Sequence, residues 1–139
     1  MEVSTLPDIT QTQVFKAPIT KVWAAIATAD GLAAWFMPND FEPLVGHAFH
    51  IDAGPFGMQS CLVKEIEEPN RIVFQWGTEW TITILLEEQG PSETLCTLHH
   101  GGWRTDGVTE FGMPHGIVRD TMNNGWAGLV AKLGSYVEA

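Results

Sequence analysis

Three segments near the middle of the chain alternate apolar and polar residues with a period of two, and the chain closes on a stretch whose apolar residues recur every three or four positions. Arg71 to Trp76 puts Ile72, Phe74 and Trp76 on one face and Arg71, Val73 and Gln75 on the other. Trp80, Ile82, Ile84 and Leu86 repeat the alternation, and Thr94 to His100 sets Cys96, Leu98 and His100 on one face. These segments read as strands with a single apolar face. Ile117, Val118, Met122, Trp126, Leu129, Val130, Leu133 and Val137 form one stripe of a long helix. An antiparallel sheet with one apolar face has to be covered. The terminal helix is the only element long enough to do so, which predicts an α+β fold with a curved sheet wrapped on that helix.

The remaining residues fit one domain spanning 1–139. Ile9 to Phe15 reads as a first strand. Pro18 suits the opening turn of a helix, where its missing N–H has no partner anyway, and Ile19, Val22, Trp23 and Ile26 follow at helical spacing. Asp30 is the expected cap of a second, short helix through Leu32 to Phe36, ended by Pro38. His47 to Ile51 and Cys61 to Glu67 are further strands, separated by the turn AGPFG, and Glu68-Pro69-Asn70 is a turn. EEQGPSE reads as a hairpin loop, and Gly101 to Pro114, rich in Gly, as a loop able to move as a lid. Gly125 and Gly128 interrupt the last helix at a cost of about 1 kcal/mol each relative to Ala; either a close approach to a strand or a ligand offsets it, or the pair is a loose spot in the helix.

A chain of 139 residues buries roughly two-thirds of its unfolded surface and needs neither metal nor disulfide to fold. Seventeen acidic against seven basic residues give a formal charge of −10, with no Lys/Arg cluster. That balance argues against nucleic acid and anionic membranes as partners, while a basic protein surface would be attracted. Cys61 and Cys96 both fall in strands and read as buried thiols of a reducing compartment. The N-terminal residues lack the basic start and apolar core of a secretory signal, and no apolar run spans a bilayer. Cytoplasmic residence is the expectation.

The stretch APITKVWAAIATADGLAAWFMP resembles the opening of the START-like (SRPBCC) superfamily, specifically the branch homologous to the C-terminal domain of the activator of heat-shock protein 90 ATPase. The matching features are Ala17-Pro18, Val22-Trp23 and Trp35-Phe36. GHAFHI resembles the entry to the next strand, with His47 where a second Gly is usual. CLVKEIEEPNRIVFQW resembles the strand-turn-strand unit ending in Trp. WTITILLEEQGPSETLCTLHH resembles the following hairpin, with Glu93-Thr94 in place of Gly-Thr, and NNGWAGLVAKLGSYVE the closing helix with its Gly125-Trp126 pair. Each motif is weak alone; in this order they cover nearly the whole chain. The resemblance implies the helix-grip fold: a seven-stranded antiparallel sheet, two short helices and a long C-terminal helix, with a cavity between sheet and helix. It implies no single function, because the superfamily includes lipid carriers, plant-hormone and flavonoid binders, polyketide cyclases and a chaperone regulator.

Six Trp supply the candidate lining of such a cavity. Trp35, Phe36, Met58, Phe74, Trp76, Trp103, Met122 and Trp126 offer flat or adaptable apolar contact, against the plain alternative that they are core. His100 shares a strand face with Cys96 and Leu98 and matches a His that recurs in the family. It is the polar group expected to bond a ligand, or else to be satisfied by a backbone carbonyl or a Trp N–H. His47, His50, His99, His100 and His115 show no metal-ligand spacing, so no metal and no cofactor is expected. No nucleophile elbow or phosphate loop is present, and Asp52 and Asp106 lie in or near Gly-rich loops that would overhang a cavity mouth. Binding of a small apolar, aromatic or lipid-like molecule by a monomer or weak dimer is the leading expectation. Regulation of a chaperone ATPase, and a cyclase or hydrolase pairing His100 with Asp106, are the alternatives.

Overall fold

A computed structural model describes residues 8–52, 57–77, 80–103 and 115–138. Its elements run β1 (Ile9–Phe15), α1 (Ile19–Ile26), α2 (Ala29–Trp35), β2 (Ala48–Asp52), β3 (Met58–Glu67), β4 (Arg71–Trp76), β5 (Trp80–Gly90), β6 (Glu93–Gly101) and α3 (His115–Glu138). The strands form one sheet in the order β1-β6-β5-β4-β3-β2, every neighbouring pair antiparallel. The α+β helix-grip architecture is therefore present, with six strands among the described residues; residues 104–114 lie outside them.

The sheet's inner face is written by alternation. Phe74, Ile82 and Leu98 belong to it, as do Ile72, Ile84 and Cys96, and all are buried. Register shifts between Val63 and Glu65 and between Glu88 and Gly90 interrupt the ladders, and such bulges bend a strand and strengthen its twist. Trp126, Val130, Leu133 and Val137 of α3 are buried against this face. Two bonds tie α3 to the edge strand β1: Gln11 Nε2 donates to Asn123 Oδ1 at 3.1 Å, and the Lys16 amide to Glu138 Oε2 at 2.9 Å.

Several local expectations shift. Thr28, not Asp30, caps α2: its Oγ1 accepts from the Gly31 amide at 3.0 Å. Asp30 falls inside the first turn, where its charge still suits the positive end of the helix. α2 accordingly runs from Ala29 to Trp35, with Phe36 as its C-cap. β3 begins at Met58, ahead of Cys61, and the β5–β6 hairpin closes on Pro91 and Ser92 because Gly90 still pairs with Glu93. Glu87, Glu88 and Gln89 read as loop because this part of the hairpin is solvated on both faces. Gly125 and Gly128 make no close approach, since a Cβ at either would meet nothing within 4 Å. The glycine that does is Gly134, where a Cβ would lie 3.0 Å from Gln13 Nε2 and 3.1 Å from Phe15 Cε1.

Candidate functional site

Antiparallel register assembles the site from the sheet side. Trp76 of β4 sits opposite Trp80 of β5, and Ile82 of β5 opposite His100 of β6. Their side chains share the inner face. After β6 the chain turns at Gly102, whose φ of 98° suits glycine. The turn brings Trp103 back so that its Nε1 donates to the His100 carbonyl at 2.9 Å. Trp80, Trp103 and the His100 ring pack with centroids 4.7–5.0 Å apart, and Trp76 stacks on His100 at 5.8 Å.

The helices close the cluster from the other side. Trp126 of α3 donates its Nε1–H to His100 Nδ1 at 2.8 Å. Phe36, at the end of α2, stacks on Trp126 at 5.5 Å and meets Trp76 edge-on at 5.9 Å. Trp35 is anchored by a bond from Nε1 to the Ala25 carbonyl at 2.8 Å. The corner between α1 and α2 depends on Gly31, because a Cβ there would come within 2.4 Å of the Ala24 carbonyl oxygen. Between these walls lies a small apolar crevice of about 30 Å³ lined by Phe36, Met37, Trp76, Met122, Gly125, Trp126 and Leu129. Met37, Met122 and Leu129 are half-buried and form its yielding rim.

His100 is fully buried, and desolvation pushes its pKa down to about 3, so the ring is neutral. An indole N–H only donates. Nδ1 therefore carries no proton, and the single proton of the neutral ring resides on Nε2. Among the described residues Nε2 meets no acceptor, and neither does the buried Nε1 of Trp76. His100 Nε2–H and Trp76 Nε1–H are thus held inside an aromatic cluster with no oxygen of the described residues to receive them.

Of the residues singled out in the sequence, the fold gathers Trp35, Phe36, Trp76, His100, Trp103 and Trp126 in this cluster, with Met122 on the crevice rim. Phe74 is buried one layer away, edge-on to Phe49 at 5.5 Å. Met58 does not join: it starts β3 on the face opposite Cys61 and is 63% exposed. Trp80, Met37 and Leu129 were not among the candidates. Trp80 was findable, since it alternates with Ile82 and Ile84 and opens the strand that follows Trp76.

Other candidate chemistry lies at the surface. Asp40 accepts from the His50 amide and faces its ring at 3.2 Å, which holds the carboxyl below the usual carboxylate range. His47 lies 3.6 Å from Glu42, and His99 Nδ1 3.1 Å from Thr10 Oγ1. Asp52 is exposed at the end of β2, and Asp106 lies outside the described residues. No three His, Cys, Asp or Glu among the described residues converge as metal ligands. Cys61 and Cys96 are free, and burial pushes each thiol up to about 12. No described helix is long and apolar enough to cross a membrane.

A bent antiparallel sheet that grips one terminal helix through a shared aromatic cluster defines a helix-grip domain. The chain belongs to the family of the Activator of Hsp90 ATPase homolog 1-like proteins, whose family model matches residues 16–138. It is 40% identical to the Bacillus halodurans protein BH1534, and superposes on its solution structure with a TM-score of 0.87 over 97% of this chain and 99% of that one. It also resembles the Aha1 dimer from Colwellia psychrerythraea (20% identity, TM-score 0.77, 96% and 97% covered). CalU16 from Micromonospora echinospora gives 22% identity and a TM-score of 0.74, with 97% and 82% covered. At these lower identities the likeness is one of fold. No curated protein matches the chain.

Proposed function

We propose that this protein binds a small, mostly apolar ligand between α3 and the inner face of the sheet, entering at the crevice walled by Phe36, Trp76 and Trp126. The observation that carries this reading is the crevice itself, an apolar gap between stacked rings of α2, β4 and α3. Its volume of about 30 Å³ holds roughly one water, so a ligand has to displace the rim. Met37 and Met122, unbranched and half-buried, can repack at low cost, and the half-buried Leu129 beside them is free to change rotamer towards solvent. Gly125 adds no bulk on the helix side. Binding without catalysis is the simpler use of this cluster, because its one titratable group, His100, stays neutral across the physiological range. The free thiols fit residence in the cytoplasm.

A titration of the amide and indole N–H resonances with pooled planar aromatics and fatty acids tests the reading. Saturable shifts at the Trp76 and Trp126 indoles are expected, weakened by Trp126→Ala. Absence of a saturable binder in every pool would remove it. The family match supports a second reading, regulation of a chaperone ATPase. An unchanged chaperone ATPase rate at saturating protein would dismiss that one.

A further inference from the structure

We propose that the ligand of this crevice carries a neutral hydrogen-bond acceptor, an oxygen of the ketone, ester or amide kind, which receives the Nε2–H of His100 and the Nε1–H of Trp76. The inference rests on the ligand-pocket reading and adds the polar end of the ligand to it.

The bonding of His100 fixes which donors are free. Trp126 supplies a proton to Nδ1 at 2.8 Å, so the neutral ring can offer only Nε2–H on its other side. That atom is buried and meets no acceptor among the described residues, and the Trp76 Nε1–H shares its condition. The two rings are stacked, with centroids 5.8 Å apart and planes inclined by 25°, and Trp76 is also a wall of the crevice. Buried donors are nearly always satisfied in folded proteins. Two such donors on stacked rings, Trp76 in the wall of the apolar gap and His100 directly behind it, are the complement of a single acceptor on an apolar frame that enters past the wall. A second donor on the ligand would find nothing to give to, because Nδ1 is already occupied by Trp126.

The acceptor's charge follows from the surroundings. Trp80, Trp103, Trp126 and Phe36 are neutral rings, and none of the described Lys or Arg side chains is buried. A carboxylate placed there would lose its hydration without a cation to replace it. A neutral carbonyl loses little and gains two bonds.

Three matched probes test this: 2-acetylnaphthalene, its hydrocarbon counterpart 2-ethylnaphthalene, and 2-naphthoate. The ketone is expected to bind the wild-type protein about tenfold more tightly than the hydrocarbon, as one or two net hydrogen bonds allow, and naphthoate more weakly than the ketone. Trp76→Phe keeps a ring in the wall but removes the donor. It should cut the ratio of ketone to hydrocarbon affinity severalfold, and because the smaller ring reshapes the wall for both probes alike, that ratio is the quantity read. Equal affinity for ketone and hydrocarbon, the result if water alone serves the donors, would overturn the inference and leave the pocket standing. Tighter binding of naphthoate than of the ketone would overturn the neutral acceptor. Binding of none of the three would remove the pocket reading together with the inference. Long-range ring-nitrogen correlations give an independent measurement that needs no variant. A proton on Nδ1 of His100 in the free protein would refute the donor assignment outright.

Discussion

Acid should destabilise this protein through one buried imidazole, and the size of the effect can be worked from its surroundings. Burial lowers the pKa of His100 from an ordinary 6.5 to about 3. In the unfolded chain the ring takes up its proton near 6.5; in the folded protein it refuses one until about pH 3. Between those values the unfolded state binds more protons, so stability from this group is complete above pH 6.5 and falls as the pH drops towards 3. At about 1.4 kcal/mol per pKa unit, the loss is about 2 kcal/mol at pH 5 and about 3 kcal/mol at pH 4. That is a large share of the roughly 5–15 kcal/mol that holds an ordinary domain together. The comparison is with His100→Asn, whose amide oxygen can still accept from Trp126 but which has no proton to gain. Urea unfolding followed by tryptophan fluorescence at pH 7, 5 and 4 gives both stability curves. H100N begins less stable at pH 7, because the smaller side chain leaves a gap among the rings. Its further loss between pH 7 and pH 4 should be smaller than that of the wild type by about 3 kcal/mol, since the carboxylates common to both proteins cancel in the difference. Equal losses would show that His100 is not held buried and neutral, and the donor assignment for Nε2 would fall with it.

Two further predictions concern backbone and caps. Gly128→Ala should stabilise the protein by up to about 1 kcal/mol, because a Cβ there meets nothing within 4 Å. Gly134→Ala should fall short of Gly128→Ala by about 1 kcal/mol or more, since its Cβ would press on Gln13 and on the Phe15 ring at 3.0 and 3.1 Å; equal gains at the two positions in urea melts would contradict the packing described for α3 on β1. Thr28→Ala should cost about 1 kcal/mol and Asp30→Asn less, because Thr28 Oγ1 makes the capping bond to the Gly31 amide; the reverse order in thermal melts would reinstate Asp30 as the cap.

Much of the fold was legible because its two signals are strong and different. β4 stands where alternation places it, β1 has the bounds read from the sequence, and α3 lies where the apolar stripe does. What escaped depends on contacts between distant segments. Thr28 and Asp30 are both good caps two positions apart, and only the path of the chain out of α1 chooses between them. The three-four spacing placed Trp126, Val130 and Leu133 but drew attention to Gly125 and Gly128, which face open space. Gly134 follows Val130 by four residues on the buried stripe, and a glycine there is the signal of a close neighbour. Parity along β3 also had the answer for Met58: with Cys61 turned inward, Gln59 follows it and Met58 turns out, as their 9% and 63% exposures show. At the site, the strand face gave His100, and a Trp N–H was one of its two expected structural partners. That the partner is Trp126 is a matter of how α3 docks, which no local pattern encodes.

That docking explains why a polar ring is worth keeping among so many apolar ones. A helix resting on a sheet through aromatic contacts alone can slide or rotate with little penalty, because dispersion is weakly directional. A single buried hydrogen bond from Trp126 to His100 at 2.8 Å is directional, and breaking it leaves a desolvated donor at a cost of about 1–3 kcal/mol. Together with the Gln11–Asn123 and Lys16–Glu138 bonds it fixes the azimuth of α3 and with it the spacing between Trp126 and Phe36 that frames the crevice. The same ring then presents its second nitrogen unpaired. A polar core group that served only to fix the helix would be expected to have both nitrogens satisfied. One nitrogen committed to the scaffold and the other left to donate is the arrangement that the proposed ligand acceptor would complete.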